Sequence, residues 1–106
     1  MISIFKENEE RYLGWHQLNP EGYVFNHFKG SDPGYNKIHT ADCRTLWREK
    51  DHGARTKVEK ICSDDLEELL NMSDVIRKNK GYSLCKICMR EEQLKRFRST
   101  ATFLHR

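Results

Sequence analysis

Two pairs of metal-binding residue types, far apart in the chain, constrain the fold more than any other feature of the sequence. His39 and Cys43 form an H-x3-C pair, and Cys85 and Cys88 form a C-x2-C pair. Two residues between cysteines allow a tight turn to direct both sulfurs at one ion, and zinc accepts thiolate and imidazole ligands in a tetrahedron. The two pairs together therefore predict a single structural zinc ion that joins distant segments of the chain.

Other interpretations of these residues stay open. Cys62 is the competing fourth ligand, because four cysteines would also satisfy zinc. It has no partner nearby in sequence, and an unpaired cysteine after alternating residues is commonly a small buried hydrophobe. The C-x2-C pair could instead be two core residues or a redox motif, although a redox motif should follow a long strand and none precedes Gly81. For His39 the alternative is a hydrogen-bonded histidine beside a strand end.

The composition favours one small domain that needs stabilisation besides burial. The chain has 106 residues, the length of one compact domain. Charged residues make up 33% of it, against roughly 25% in an average globular chain, which leaves less material for a core. The first residues contain no apolar stretch long enough for a signal peptide, and no run approaches the roughly 18 apolar residues that span a bilayer. We therefore expect a single cytoplasmic domain over residues 1–106, with no membrane partner and with reduced cysteines.

The residue patterns predict an α+β fold, a small antiparallel sheet with about three helices. Aromatic, β-branched or alternating segments predict strands near 23–28, 37–39 and 57–62. Helices are expected near 41–50, 64–79 and 87–97. The first would be capped by Thr40, and the second has acidic residues at its start and basic residues at its end, as the helix dipole favours. The basic segment 99–106 is expected to fray.

The two ligand pairs in their sequence context resemble the Ada-type zinc-binding module. The stretch from Gly81 to Cys88 reads G-Y-S-L-C-K-I-C, and the family pattern ends in Gly-aromatic-x-Pro-Cys-x2-Cys. The match covers about residues 37–90. Similar modules with histidine at the first ligand position are accessory domains beside bacterial nucleases, restriction-type enzymes and DNA-uptake proteins. The resemblance implies a structural zinc fold with affinity for nucleic acid, serving a partner enzyme or fused domain.

Departures from the family pattern bear on catalysis. Leu84 stands where the family usually has proline, and the connection between Cys43 and Cys85 is longer than usual. In the Ada repair protein the first ligand is a cysteine that accepts a methyl group from DNA phosphotriesters. His39 has no thiolate to accept one, which leaves Cys43 as the nucleophile available in principle. Since the thiols are explained as ligands, we expect no enzymatic activity.

Basic residues in the last part of the chain and near the predicted metal favour DNA or RNA as a partner. Those near the metal are Lys37, Arg44, Arg48, Arg55, Lys57 and Lys60. Phosphate contact needs clustered Lys and Arg, and aromatic side chains such as Tyr35, Trp47 or Phe97 can stack on unpaired bases. The predicted nucleic-acid-binding residues are Arg44, Arg48, Lys86, Arg90, Lys95, Arg96 and Arg98. The alternative is an ordinary solvated surface, which the net charge of only +3 permits.

A protein-interaction module with a structural zinc and no nucleic-acid role is the rival hypothesis. In that case a partner would dock on the helix that ends near Lys80, or on a stripe formed by Met89, Leu94 and Phe97. A stripe of this spacing is usually part of the core of the domain itself.

Overall fold

The computed structural model describes residues 1–30 and 32–92, in which five strands form one sheet. In chain order the elements are β1 (Ser3–Phe5), α1 (Glu9–Leu18), β2 (Tyr23–His27), β3 (Lys37–Thr40), β4 (Glu59–Ser63), α2 (Leu66–Arg77) and β5 (Ser83–Leu84). The strand order is β1-β4-β2-β3-β5. β5 is parallel to β3, and the other paired strands are antiparallel. The predicted α+β class is confirmed, with the correction that the sheet is mixed.

The three predicted strands form the centre of the sheet. The segments predicted near 23–28, 37–39 and 57–62 correspond to β2, β3 and β4. Phe25 lies opposite Ile38 on one side and Ile61 on the other, so the three side chains share a face. All three are fully buried, because α2 packs Leu69 and Leu70 against them. The helix predicted near 64–79 is confirmed as α2.

The opposite face of the sheet carries a second core, to which α1 contributes. Val24 and Cys62 lie side by side on β2 and β4 and pack with Tyr12 of α1. The ring of Tyr12 stacks on Trp47 at 5.4 Å between centroids, and the Trp47 indole N–H donates to the carbonyl of Ala41 at 2.8 Å. α1 was not predicted. Tyr12 is its one buried residue, so the helix has almost no apolar stripe in the sequence.

The helix predicted near 41–50 is wrong. The chain instead makes separate 3₁₀ turns, at Arg44–Leu46, Glu49–Asp51 and Arg55–Lys57. At Cys43 the backbone ψ is 126°, an extended value that interrupts a helix. Thr40 does not act as the predicted cap, because the residue before the first 3₁₀ turn is Cys43 and no side chain caps that turn. The N–H of Thr40 donates instead to the Cys88 sulfur at 3.2 Å. Contacts of the predicted ligands therefore override the local helical pattern.

The last predicted helix is described only at its beginning. Residues 86–88 form a turn, and helical backbone is described at residues 90–92, rather than from 87. Residues 93–106, which include the rest of that helix and the predicted frayed segment 99–106, lie outside the described residues. Within the described ranges, no helix has both the length and the apolar character to cross a bilayer.

The Glu9 carboxylate fixes the long connection between β3 and β4 to the start of α1. It accepts the backbone N–H groups of Gly53 and Arg55, both at 2.6 Å, and it pairs with the Arg55 guanidinium at 3.2 Å. Its side chain is only 13% exposed. Burial alone would raise the pKa of Glu9, but the two N–H donors and the guanidinium outweigh burial and hold that pKa below its ordinary value.

We expect Glu9→Gln to lower the free energy of unfolding at pH 7 by about 2 kcal/mol, since hydrogen bonds to a charged group are lost. A depressed folded-state pKa contributes stability that is present above the ordinary carboxylate pKa and is lost as pH falls through the folded value. The variant should therefore lose less stability than wild type on acidification. Urea unfolding at pH 7 and at pH 4 measures both effects. The exposed Glu10→Gln is the control, and equal stability of the two variants at pH 7 would contradict this account.

Candidate metal centre

Parallel pairing of β5 with β3 brings the two ligand pairs together. His39 lies on β3, and Cys43 lies in the turn that follows this strand. Cys85 comes directly after β5, and its backbone N–H donates to the carbonyl of Ile38 on β3 at 2.9 Å. The turn that contains Cys88 therefore begins beside His39. Distant parts of the sequence meet here because one sheet edge aligns them.

The ligand atoms of His39, Cys43, Cys85 and Cys88 all lie within 4.8 Å of one another. The sulfurs of Cys43 and Cys85 are 3.9 Å apart, and all the cysteines are free thiols. A disulfide would require about 2.05 Å. Zinc–sulfur bonds of about 2.3 Å in a tetrahedron require sulfurs roughly 3.8 Å apart. The four residues are therefore placed to coordinate one metal ion.

Hydrogen bonds behind the ligands orient them. The hydroxyl of Thr45 lies 3.0 Å from the Cys43 sulfur and 3.4 Å from Nδ1 of His39. The N–H of Thr40 donates to the Cys88 sulfur at 3.2 Å. Such contacts to ligand atoms fix ligand orientation and tune metal affinity. The spacing of the ligands in the sequence did not indicate that Thr40 and Thr45 contact them.

The electrostatics of the site suit a metal cation. Burial, with smaller contributions from nearby Lys60 and Lys37, lowers the pKa of His39 to about 4. The imidazole is therefore neutral at pH 7, as a metal ligand must be. Burial raises the pKa of Cys88 to about 12. Burial would also raise the pKa of Cys85, but backbone N–H groups, the first of them from Cys88, lower it overall. A divalent cation would stabilise all three sulfurs as thiolates.

Cys62, the competing fourth ligand, lies elsewhere. It is fully buried on β4, next to Val24 of β2 and opposite Ser3 of β1. Burial raises the pKa of its thiol well above the ordinary value. It does not belong to the group of four that the described residues bring together. In the structure Cys62 is a small core residue.

The predicted nucleic-acid-binding residues that are described lie around the metal centre. Arg44 and Arg48 follow Cys43, Lys86 lies between the two cysteines of the second ligand pair, and Arg90 follows that pair. All four side chains are exposed, and none forms an ion pair within residues 1–30 and 32–92. Three further predicted residues lie outside the described residues: Lys95, Arg96 and Arg98.

The surface predicted for protein docking is partly occupied by the domain itself. Met89 is only 4% exposed and packs with Phe25, Ile61 and Leu69 in the core. Leu94 and Phe97 lie outside the described residues. The described part of that stripe therefore belongs to the core.

Fold and site together define a small α+β domain whose His/Cys3 group could hold a metal ion. No family model, curated protein or solved structure matches the chain. The resemblance to the Ada-type module stays a prediction from the two ligand pairs.

Proposed function

We propose that the protein is a non-catalytic zinc domain in which His39, Cys43, Cys85 and Cys88 bind one structural zinc ion. The observation that carries this proposal is the closed group of four ligand atoms. Four side-chain ligands fill a tetrahedron, as in structural sites, whereas catalytic zinc keeps one position open for water or substrate. Three thiolates and an imidazole are a donor set that suits zinc and does not suit magnesium or calcium.

The role of the zinc is to hold the edge of the sheet. β5 has only two residues, Ser83 and Leu84, and such a short strand contributes little pairing of its own. Zinc would join it to β3 and to the turn after β3. Because metal binding occurs in the folded chain and a preformed site is absent from the unfolded chain, its binding free energy adds to folding.

We infer that this domain binds DNA or RNA as an accessory module of a DNA-processing system. The basic side chains around the metal centre support this role, because they are exposed and form no ion pair with other described residues. Phosphate neutralisation by Lys and Arg dominates nucleic-acid affinity. The resemblance to Ada-type modules supports it as well. Zinc would then fix the turns that carry Arg44, Arg48 and Lys86.

The test is binding of the zinc-loaded protein to a panel of single- and double-stranded DNA and RNA, with polyglutamate as the acidic-polymer control. We expect nucleic acid to bind more tightly than polyglutamate, with affinity that falls as salt rises. Arg44→Glu should weaken binding to every sequence and reduce the salt slope by about 1, as loss of one phosphate contact requires. Fluorescence anisotropy at several salt concentrations measures both.

Lys6→Glu is the matched control for this charge reversal. Lys6 is exposed and follows β1, which forms the sheet edge opposite β5 and the metal centre. The Lys6→Glu variant should bind nucleic acid as tightly as wild type. If the nucleic acids bind no better than polyglutamate, the nucleic-acid role is wrong, while the structural zinc stands on metal content alone.

A further inference from the structure

A cavity of about 400 Å³ opens on the sheet beside the metal centre. Its floor is one row of three polar side chains, because Asn26 of β2 lies opposite Lys37 of β3 and Lys60 of β4. Residues from the connection between β3 and β4 form another wall, including Arg48 and Lys50. We call this the sheet cavity. Its volume lies within the range of about 300–1,000 Å³ that small-ligand sites occupy.

The sheet cavity is strongly basic. Five basic side chains line it, and the one acidic side chain among its lining residues is Asp51. The basic residues are Lys37, Arg48, Lys50, Arg55 and Lys60. Arg55 is neutralised by Glu9 at 3.2 Å, but its buried Nε has no hydrogen-bond partner among the described residues. Low-dielectric walls lined by one sign of charge concentrate counter-ions, so the cavity attracts anions.

Lys60 is the strongest indication of a missing anion. The residue is only 5% exposed, and its ammonium donates to the side-chain oxygen of Asn26. An ammonium has three protons to donate, and no other acceptor or carboxylate of the described residues contacts it. Buried charges are normally paired, because removing them from water is costly. Burial lowers the pKa of Lys60 to about 8, so the side chain is mostly charged at pH 7.

Aromatic rings complete the lining. Tyr35 is 67% exposed, and its ring contacts that of Phe28 at 6.1 Å between centroids. Both residues line the sheet cavity. An exposed ring beside a cluster of cations suits a ligand that carries a base as well as a phosphate, because nucleobases stack on aromatic side chains.

We propose that the sheet cavity binds the phosphate group of one nucleotide, with Lys60 and Lys37 contacting the phosphate and Tyr35 lying against the base. This assignment rests on the proposed nucleic-acid role and deepens it. Among the described residues of the set predicted from sequence to bind nucleic acid, only Arg48 lines the cavity. The principal phosphate contacts are then central residues of the sheet, and the exposed basic side chains assist them.

The experiment is an NMR titration of the zinc-loaded protein with adenosine 5′-monophosphate, and separately with adenosine and with inorganic phosphate. We expect the monophosphate to shift backbone amide signals of residues 26, 37 and 60. Adenosine should bind at least about tenfold more weakly, since it lacks charge-assisted hydrogen bonds to Lys. Inorganic phosphate should shift the same amides with lower affinity, because it lacks the base. Equal binding of the monophosphate and adenosine, or binding of neither, would overturn the proposal.

Lys60→Met is the decisive variant, and Lys57→Met is its control. Methionine keeps the length and removes the charge, and Lys57 is exposed, nearby in sequence and outside the cavity lining. Lys60→Met should weaken monophosphate binding about tenfold or more, while Lys57→Met should bind like wild type. Lys37→Met provides the same test should Lys60→Met fail to fold, which the amide spectrum reveals.

An oligonucleotide titration separates this proposal from the proposed function. If an oligonucleotide binds wild type and both cavity variants equally, the nucleic-acid role holds and the sheet cavity is not its phosphate site. If the monophosphate binds and Lys60→Met abolishes that binding, but no oligonucleotide binds, the cavity proposal holds and the nucleic-acid role fails.

Discussion

Cys85→Ser is expected to lose the zinc and to unfold at room temperature. Cys85 is 3% exposed, its sulfur is 3.9 Å from that of Cys43, and its N–H is hydrogen-bonded to β3. Structural zinc sites have apparent binding free energies of about 10–16 kcal/mol, as large as the whole stability of about 5–15 kcal/mol of a typical domain. A chain with a modest core has little stability left once this contribution is removed. The variant should therefore lack a cooperative thermal transition.

Circular dichroism on heating, together with zinc content by native mass spectrometry, measures this effect. Cys62→Ser is the matched control, because it makes the same chemical change at a fully buried cysteine outside the metal centre. Burying an unpaired hydroxyl there should cost about 1–3 kcal/mol and leave one zinc bound. Native-like melting and metal content of Cys85→Ser would show that zinc does not hold this fold together.

The sequence predicted those elements and ligand pairs whose residue pattern lies within one short segment. β2 begins with the aromatic and β-branched run Tyr-Val-Phe, and α2 has a clear apolar stripe with Leu69 and Leu70 on its inner face. The H-x3-C and C-x2-C spacings likewise describe short segments in which two ligands can reach one ion. That the two pairs meet in the structure depends on the parallel pairing of β3 with β5, which no local pattern indicates.

The features that sequence reasoning missed depend on tertiary contacts. The segment after Thr40 has helical capping chemistry, but the backbone at Cys43 is extended, so a continuous helix does not form there. α1 buries only Tyr12, so its sequence has no periodic pattern of apolar residues that would predict a helix. The sheet cavity arises from the register of β2, β3 and β4, whereas in the sequence Lys60 is one of many lysines and gives no sign that it is buried.

The second large effect is a loss of zinc affinity, which depends on which residue is the fourth zinc ligand. Wild type is expected to bind one zinc ion per chain. The His39→Ala variant should bind zinc more than about 100-fold more weakly, and the Cys62→Ala variant should bind it as tightly as wild type. Loss of a mere hydrogen-bond partner behind a ligand typically costs about 10–100-fold in metal affinity, and loss of the ligand itself costs more. His39 has its ring nitrogen within the group of four, and Cys62 lies outside that group.

Competition with a chelator of known affinity, followed by native mass spectrometry, measures these differences in freshly reduced protein. Cys62→Ala deletes a fully buried sulfur, so it controls for general loss of core packing. The opposite result, zinc retained by His39→Ala and lost by Cys62→Ala, would make the site one of four cysteines. β4 would then have to move toward the C-x2-C turn. Because β4 lies between β1 and β2 in the sheet, that rearrangement would break the pairing of Cys62 with Val24 and Ser3, and the arrangement of the whole sheet would be wrong.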